Sequence, residues 1–408
     1  VWIADNFDEC GYDPLVIYLD HNATTPIAPE VLEAMMPYLT SEWGNPSSSY
    51  QFGAKLKGVV EVAREQVAEL IGAHAGEVLF TSCATESNNA AIQAALQATG
   101  KRHVITSAVE HSSVLNYASS LVGTAGPAVR SGCHSERSEE SQSYRVTYLP
   151  VDRDGLLKLA DLEAAITNET AVVSLMWANN ETGVLFPVKE IAEICRARGV
   201  LFHCDAVQAA GKVEIDVRTV PVDYLSITGH KFGAPKGIGA LYVRRKTPFV
   251  PLIVGGHQEK NRRGGTESVP LIVGLGKAAE LAKKKLPDYD KTERPLRDGL
   301  EEGILSSIRN TELNGHKEQR LANTTNITFH GIESEALLIL LDQEGICASS
   351  GSACLADSDE PSHVVKAMKP DSTASRQMIR FSLDAANTMG EIKAVLAAVN
   401  KTTALLRA

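Results

Sequence analysis

The sequence predicts an α/β fold, with a large domain on a mainly parallel sheet flanked by helices and a smaller α+β domain. Three observations carry this expectation. Short apolar, β-branched runs of strand length alternate with segments whose apolar residues recur every three or four positions. Polar residues able to do chemistry recur at the carboxyl ends of those runs, where open parallel sheets collect ligands; these are Thr85, His111, Asn180, Asp205 and Lys231. With 408 residues, 44% of them hydrophobic, the chain can fill one large core and a smaller second lobe.

Residues 1 to 16 are acidic and contain Gly-Pro-type breakers, which suggests an extended tail. YLDHNATTP, from Tyr18, turns sharply before a helix that starts near Pro29. Between residues 53 and 71, Leu56, Val60, Ala63, Val67 and Leu70 mark one face of an amphipathic helix. EVLFT, from Glu77, reads as a strand that passes through Ser82-Cys83-Ala84 into a helix near Thr85-Glu86. The N–H groups at such a helix start favour a phosphate; ordinary N-capping by Thr85 is the plainer reading. His103 to Ser107 is a further strand, and Glu110-His111-Ser112-Ser113 opens the next helix. Cys83 reads as packing.

Residues 122 to 143 are rich in Ser, Glu, Arg and Gly without an apolar period, so they read as a solvated, mobile insertion. Cys133-His134 within it has no second pair at finger spacing, and no metal site is assigned. Ala171 to Met176 is a buried strand leading into WANNETG, and residues 187 to 199 return as a helix. Val200 to Cys204 is a strand that ends in Asp205, with Gln208 three residues on. A run from Val222 to Ile227 then stops at Thr228-Gly229-His230-Lys231, and another begins after Gly237-Ile238-Gly239. A lysine in that crossover, beside hydroxyl, imidazole and backbone donors, is placed to form a Schiff base with a carbonyl while its neighbours hold an anion. A surface lysine in a turn is the alternative.

Arg244-Arg245-Lys246 looks like a solvated loop, and GGHQEKNRRGGTE, from Gly255, like a longer one. From about residue 282 the chain is helix-rich, followed by the strand-like Asn326 to His330 and the run Ala336 to Leu341. The small residues of Ser349-Ser350-Gly351-Ser352-Ala353-Cys354 give little to pack, so the Cys354 thiol is expected on an exposed, mobile loop, with Cys347 buried. A free thiol is only a few per cent thiolate near neutrality, so a reactive one needs help to ionise. Arg380, in MIRFSL, is a natural bidentate clamp for a carboxylate; a structural ion pair is the alternative.

A net charge of −10 and a pI near 5.6 argue against nucleic acid or an acidic membrane as main partner. No run of eighteen apolar residues occurs, and VWIADNFDEC carries acids where a secretory signal carries positive charge, so a cytoplasmic location is expected. Seven cysteines without framework spacing suit a reducing compartment.

In their order along the chain, YLDHNATTP, GNPSS, TSCATES, EHSSV, WANNETG, FHCDAVQ, TGHK, GGTE, SSGSAC, EPSH and IRFSL resemble the class-V aminotransferase branch of pyridoxal-phosphate enzymes, and within it the cysteine desulfurases of the NifS/IscS-like group. The resemblance spans about Ile17 to about Asn387. It implies fold-type I, a seven-stranded sheet, a large domain over 30 to 281, and a small domain made of 1 to 29 and 282 to 408. It implies pyridoxal 5'-phosphate as cofactor, bound to Lys231, with its ring nitrogen facing Asp205 and His111 stacked on the ring as a proton shuttle. Ala84, Thr85, Thr228 and His230 would form the phosphate cup, Gln208 would also contact the cofactor, and Asn180 would meet the ring 3-hydroxyl and the substrate carboxylate. Thr266 would be lent by a partner subunit, making a homodimer with shared active sites.

Arg380 would clamp the carboxylate of L-cysteine, and Cys354 would take its sulfur as a persulfide, leaving L-alanine. The sulfur would pass to an iron-sulfur scaffold or another acceptor protein. Two departures stand out: Leu355 replaces the small hydroxyl residue usual after the nucleophile, and Arg376 stands where many relatives have histidine. The competing readings are a selenocysteine lyase or other class-V enzyme, and a catalytically silent assembly partner.

Overall fold

Strands covered on both faces must be apolar along their whole length, and seven strands among the described residues are buried at every residue. The structure, a computed structural model, describes residues 16–122, 143–351 and 361–408. The tail, nearly all of the 122–143 insertion with Cys133 and His134, and Cys354 with Leu355 lie outside the described residues. In chain order the strands are β1 (Ile17–Tyr18), β2 (Val78–Thr81), β3 (His103–Ser107), β4 (Arg145–Leu149), β5 (Thr170–Met176), β6 (Leu201–Asp205), β7 (Tyr224–Thr228), β8 (Gly239–Val243), β9 (Thr311–Leu313), β10 (Thr324–Phe329), β11 (Ile346–Cys347) and β12 (Met378–Ser382).

Two units divide the described residues: 24–289 with 315–321, and 16–23 with 290–314 and 322–408. The larger unit holds a seven-stranded sheet in the order β2-β8-β7-β6-β5-β3-β4. Strands β4, β3, β5, β6 and β7 run parallel, whereas β8 is antiparallel to both β7 and β2. The β7–β8 connection is too short for a helical crossover, so the chain doubles back. This mostly parallel sheet with flanking helices is the fold-type I architecture.

The helix Ala84–Thr99 lies over β5 to β8, and its inner face is built from Ala90, Ala91, Ala94 and Ala95 with Ile92 and Leu96. Alanines let its backbone approach the strands closely. The helix Leu56–Leu70 buries the five apolar residues that its periodicity marks. One element differs in length from the sequence expectation: a helix runs from Val269 to Ser307, well before residue 282. Gly274 and Gly276 lie inside it, where the lack of a side chain serves packing. A Cβ on Gly274 would come within 2.6 Å of the Met35 sulfur, and one on Gly276 within 2.7 Å of Ala63.

In the smaller unit β12-β10-β9 form an antiparallel sheet and β1 pairs in parallel with β11. Its core gathers Leu19, Leu300, Phe329, Leu337, Phe381 and Val395. The run Ala336 to Leu341 belongs to a helix, Ser334–Gln343. Cys347 is half-buried rather than buried. No helix among the described residues is long and apolar enough to cross a membrane.

Across the large sheet, His203 is fully buried, with Nδ1 2.8 Å from Ser174 Oγ and Nε2 2.9 Å from Ser226 Oγ. Burial pushes the ring down to about 3, so it is neutral in the fold. Below the ordinary value of 6.5 the unfolded chain takes up a proton that the fold refuses, and stability drops as pH falls from 6.5 towards 3. We expect His203→Asn to flatten that slope by about 1.4 kcal/mol per pH unit, read by denaturant unfolding at stepped pH; an unchanged slope would mean that the native ring is charged.

Candidate active site

The carboxyl ends of the parallel strands gather most of the candidate residues. Met176 of β5, Asp205 of β6 and Ser226 of β7 are in register across neighbouring strands. Asp205 is buried, with 7% of its surface exposed. Its Oδ2 accepts from Asn88 Nδ2 at 2.7 Å and its Oδ1 from the Val207 N–H at 3.0 Å. Each carboxylate oxygen therefore has a neutral donor, the minimum that a buried anion requires. Gln208, also buried, accepts from Lys212 Nζ at 2.9 Å through Oε1, which leaves its amide nitrogen turned the other way.

Lys231 closes the short turn Gly229–Lys231 after β7 and is half-buried. Thr228 Oγ1 donates to the Ile238 carbonyl at 3.1 Å, which ties the start of the turn to its return. His230 faces Thr24, with Nδ1 3.3 Å from Oγ1, and its carbonyl accepts from the Thr25 N–H at 2.8 Å. Burial first, then the charges of Lys231, Lys236 and His111, push His230 down to about 4. It is a neutral donor at pH 7. His111 N-caps the helix Ser112–Leu121, its Nδ1 accepting from the Ser113 N–H at 3.1 Å. Nδ1 is thereby the acceptor, and the proton of the neutral ring sits on Nε2.

The helix Ala84–Thr99 starts at Ala84, with Cys83 at the cap position and no side-chain cap bond. Thr85 is thus the second helical residue and not the cap. In WANNETG the turn is organised by Asn179, whose Oδ1 accepts from the N–H groups of Glu181 and Thr182, both at 2.9 Å. Asn180, beside it, is buried, with 9% of its surface exposed.

Thr266 is exposed at the end of the 255–267 loop and lines a cavity of about 200 Å³ with Thr81, Ser82, Gly237 and Ile238. That loop is clamped. Glu259, with Lys260 and Asn261, adopts a positive φ uncommon outside glycine, at 47°, 57° and 65°. The Glu259 carboxylate is held by both terminal nitrogens of Arg64, at 2.6 and 2.9 Å, and by the Phe80 N–H at 3.0 Å. Arg263 adds a two-point contact to Glu86 at 3.0 and 3.3 Å.

Arg380 lies in the smaller unit on β12, 1% exposed, with Nη2 2.5 Å from Asp20 Oδ1. Its backbone exchanges two hydrogen bonds with Ser349, at 2.7 and 3.2 Å. The catalytic cysteine expected at 354 lies outside the described residues.

The model of the aminotransferase class-V family matches residues 17–395. The chain belongs to the class-V aminotransferase family, among its cysteine desulfurases. It is 53% identical over 382 residues to cysteine desulfurase 2 of Trichormus variabilis, covering 93% of this chain and 91% of that one. It is 47% identical to cysteine desulfurase NifS of Azotobacter vinelandii, over 96% and 93% of the two chains. The solved structure of a NifS-like protein superposes with a TM-score of 0.85 at 34% identity, covering 96% of this chain and all of the other.

Several residues around these strand ends and the 255–267 loop carry no role in the sequence reading although some lie in its motifs: Asn88, Ser113, Lys212, Glu110 and the Arg64–Glu259 pair. A polar stretch, Glu86 to Asn89, interrupting an alanine face was the one available signal for Asn88. Glu110 is fully buried, its Oε1 accepting from Ser107 Oγ at 2.7 Å and from the Met176 N–H at 3.1 Å. Burial raises its carboxyl to about 8, with the Asp205 charge adding to the shift. The folded protein keeps a proton there that the unfolded chain releases above the ordinary 4.5, so stability is lost as pH rises from 4.5 through 8. We expect the stability difference between Glu110→Gln and the wild type to shift in favour of the variant by on the order of 1 kcal/mol per pH unit across that window, measured by urea unfolding at pH 5 and 8. A difference that stays constant would mean that Glu110 is ionised in the fold.

Proposed function

We propose that this protein converts L-cysteine to L-alanine with pyridoxal 5'-phosphate as cofactor, capturing the sulfur on Cys354 as a persulfide for iron-sulfur cluster assembly. The observation that carries the reading is the pairing of an anchored carboxylate, Asp205, at the end of β6 with Lys231 in the turn after the adjacent parallel strand β7. The residues fit the cofactor: a buried acceptor for a protonated ring nitrogen, an amine at the next strand, and a helix start without a side-chain cap for a phosphate. Ala84, Thr85, Thr228 and His230 would hold that phosphate, with Thr266 supplied by the second subunit of a homodimer. Gln208 and Asn180 would meet the ring hydroxyl. When bound, the group withdraws electrons from the substrate Cα and weakens the bonds around it.

The chain's own residues do the rest. Arg380 binds the cysteine carboxylate, and Asn180 adds a donor. Lys231 takes the Cα proton as an amine and holds it as an ammonium. Asp205 keeps negative charge beside the ring nitrogen, and His111, whose Nδ1 accepts from the Ser113 N–H, offers Nε2–H as a donor and proton carrier. The Cys354 thiolate attacks the substrate sulfur: an S–S bond forms, the Cβ–S bond breaks, and its electron pair stays on carbon until a proton completes L-alanine. An acceptor protein then collects the terminal sulfur. A reducing, cytoplasmic setting keeps the thiol available.

Purified protein should be yellow and should release alanine and, with a reductant, sulfide from L-cysteine. Cys354→Ala should keep the colour and lose both products, and Lys231→Ala should lose activity by roughly 10²- to 10⁴-fold. Alanine formation by Cys354→Ala at the wild-type rate would remove the thiol from the mechanism.

A further inference from the structure

Asn88 stands between two of the residues already discussed. It is completely buried on the helix Ala84–Thr99, and its one amide nitrogen serves two acceptors: Asp205 Oδ2 at 2.7 Å and Ser113 Oγ at 2.9 Å. A carboxylate only accepts, so the amide must turn its NH₂ towards Asp205, and the second hydrogen is then directed at Ser113. Having accepted there, the Ser113 hydroxyl has its own proton to give, and His111 Nδ1 lies 2.9 Å away. The Ser113 N–H reaches the same nitrogen at 3.1 Å. The sequence of donors therefore has one direction, from Asn88 N–H to Ser113 O–H to His111 Nδ1, and its polarity is set by the charge at Asp205.

We propose that Asn88 and Ser113 are positioning residues that couple Asp205 to His111: the carboxylate orients the Asn88 amide, and through it the Ser113 hydroxyl, as a second donor to Nδ1 beside the Ser113 N–H. Asn88 touches neither His111 nor, in the reading above, the reacting atoms; it acts through the hydroxyl. The consequence for the reaction is that the ring is held at Nδ1 by two donors, one of them tied to Asp205, with Nε2–H left to face the reaction. Hydrogen-bonded chains in a low-dielectric interior polarise one another, which makes such coupling effective.

The proposal rests on the desulfurase reading for its relevance to catalysis, and the test separates the two. Nitrogen NMR of histidine-labelled full-length protein, with the His111 signals assigned by their loss in His111→Gln, reports the tautomer directly. Wild type should show an unprotonated Nδ1 and a protonated Nε2. Asn88→Leu should move the Nδ1 signal towards that of a more weakly hydrogen-bonded nitrogen although it changes no atom in contact with the ring, and Ser113→Thr should keep the wild-type pattern. Pyridoxal phosphate titration, followed by absorbance, should show a loss of affinity on the order of 10-fold in Asn88→Leu. Ser113→Ala should lose less, and the double variant should be no weaker than Asn88→Leu alone.

Should Asn88→Leu unfold, Asn88→Asp carries the test. It keeps the size while replacing the shared donor by a second carboxyl, and two carboxyls at that distance share one proton. It should disturb the His111 signals in the same direction. Unchanged His111 signals in the Asn88 variants, with additive affinity losses, would overturn the coupling. Failure of the wild type to bind pyridoxal phosphate would instead overturn the functional reading, while the NMR result still decides the coupling.

Discussion

The hydrogen bond from Asn88 to Asp205 is the constraint on which the large unit depends. A carboxylate removed from water destabilises a fold unless its oxygens find donors, and one of the two donors comes from a helix rather than from the strand that carries it. For Asn88 to reach, the helix must lie close over the sheet, which its alanine face allows. Other groups around the strand ends are kept neutral. Glu110 holds its proton, and His203 and His230 lose theirs, all through burial. Asp205 thus sits among groups that burial keeps neutral.

A second constraint shapes the loop that ends at Thr266. Three consecutive non-glycine residues in left-handed backbone cost of order 1 kcal/mol or more each, and a surface loop would relax out of that conformation. Arg64 prevents it. Its two-point grip on Glu259, with the Phe80 N–H on the same carboxylate, is buried on both sides and fully hydrogen-bonded. Breaking such a pair strands a charge in the interior, so the strained segment is held by the cost of releasing it.

Much of the architecture was legible because buried parallel strands leave an unmistakable apolar record, and the expected strand ends match the structure within a residue or two for most of the large sheet. The helix from Val269 was legible only in part. Glycine serves both as a breaker and as a contact residue, and sequence alone does not say which. The site divides along the same line. Residues at strand ends, such as Asp205 and Lys231, announce themselves by position. Those that act across space do not: Arg64 and Glu259 are 195 positions apart, and Asn88 meets Asp205 from 117 positions away. Choosing between Asn179 and Asn180 as the turn former likewise needed the geometry, since adjacent asparagines are equivalent in a sequence motif.

The backbone bridge between Ser349 and Arg380 sets a limit of another kind. Ser349 is moored to β12 at the residue proposed to grip the substrate, and Cys354 follows five positions later. Covalent geometry keeps the Cα of Cys354 within about 18 Å of that of Ser349, whatever path the chain takes between them. In the proposed reaction, a protein collecting sulfur from this thiol would have to bring its own acceptor to the neighbourhood of β12.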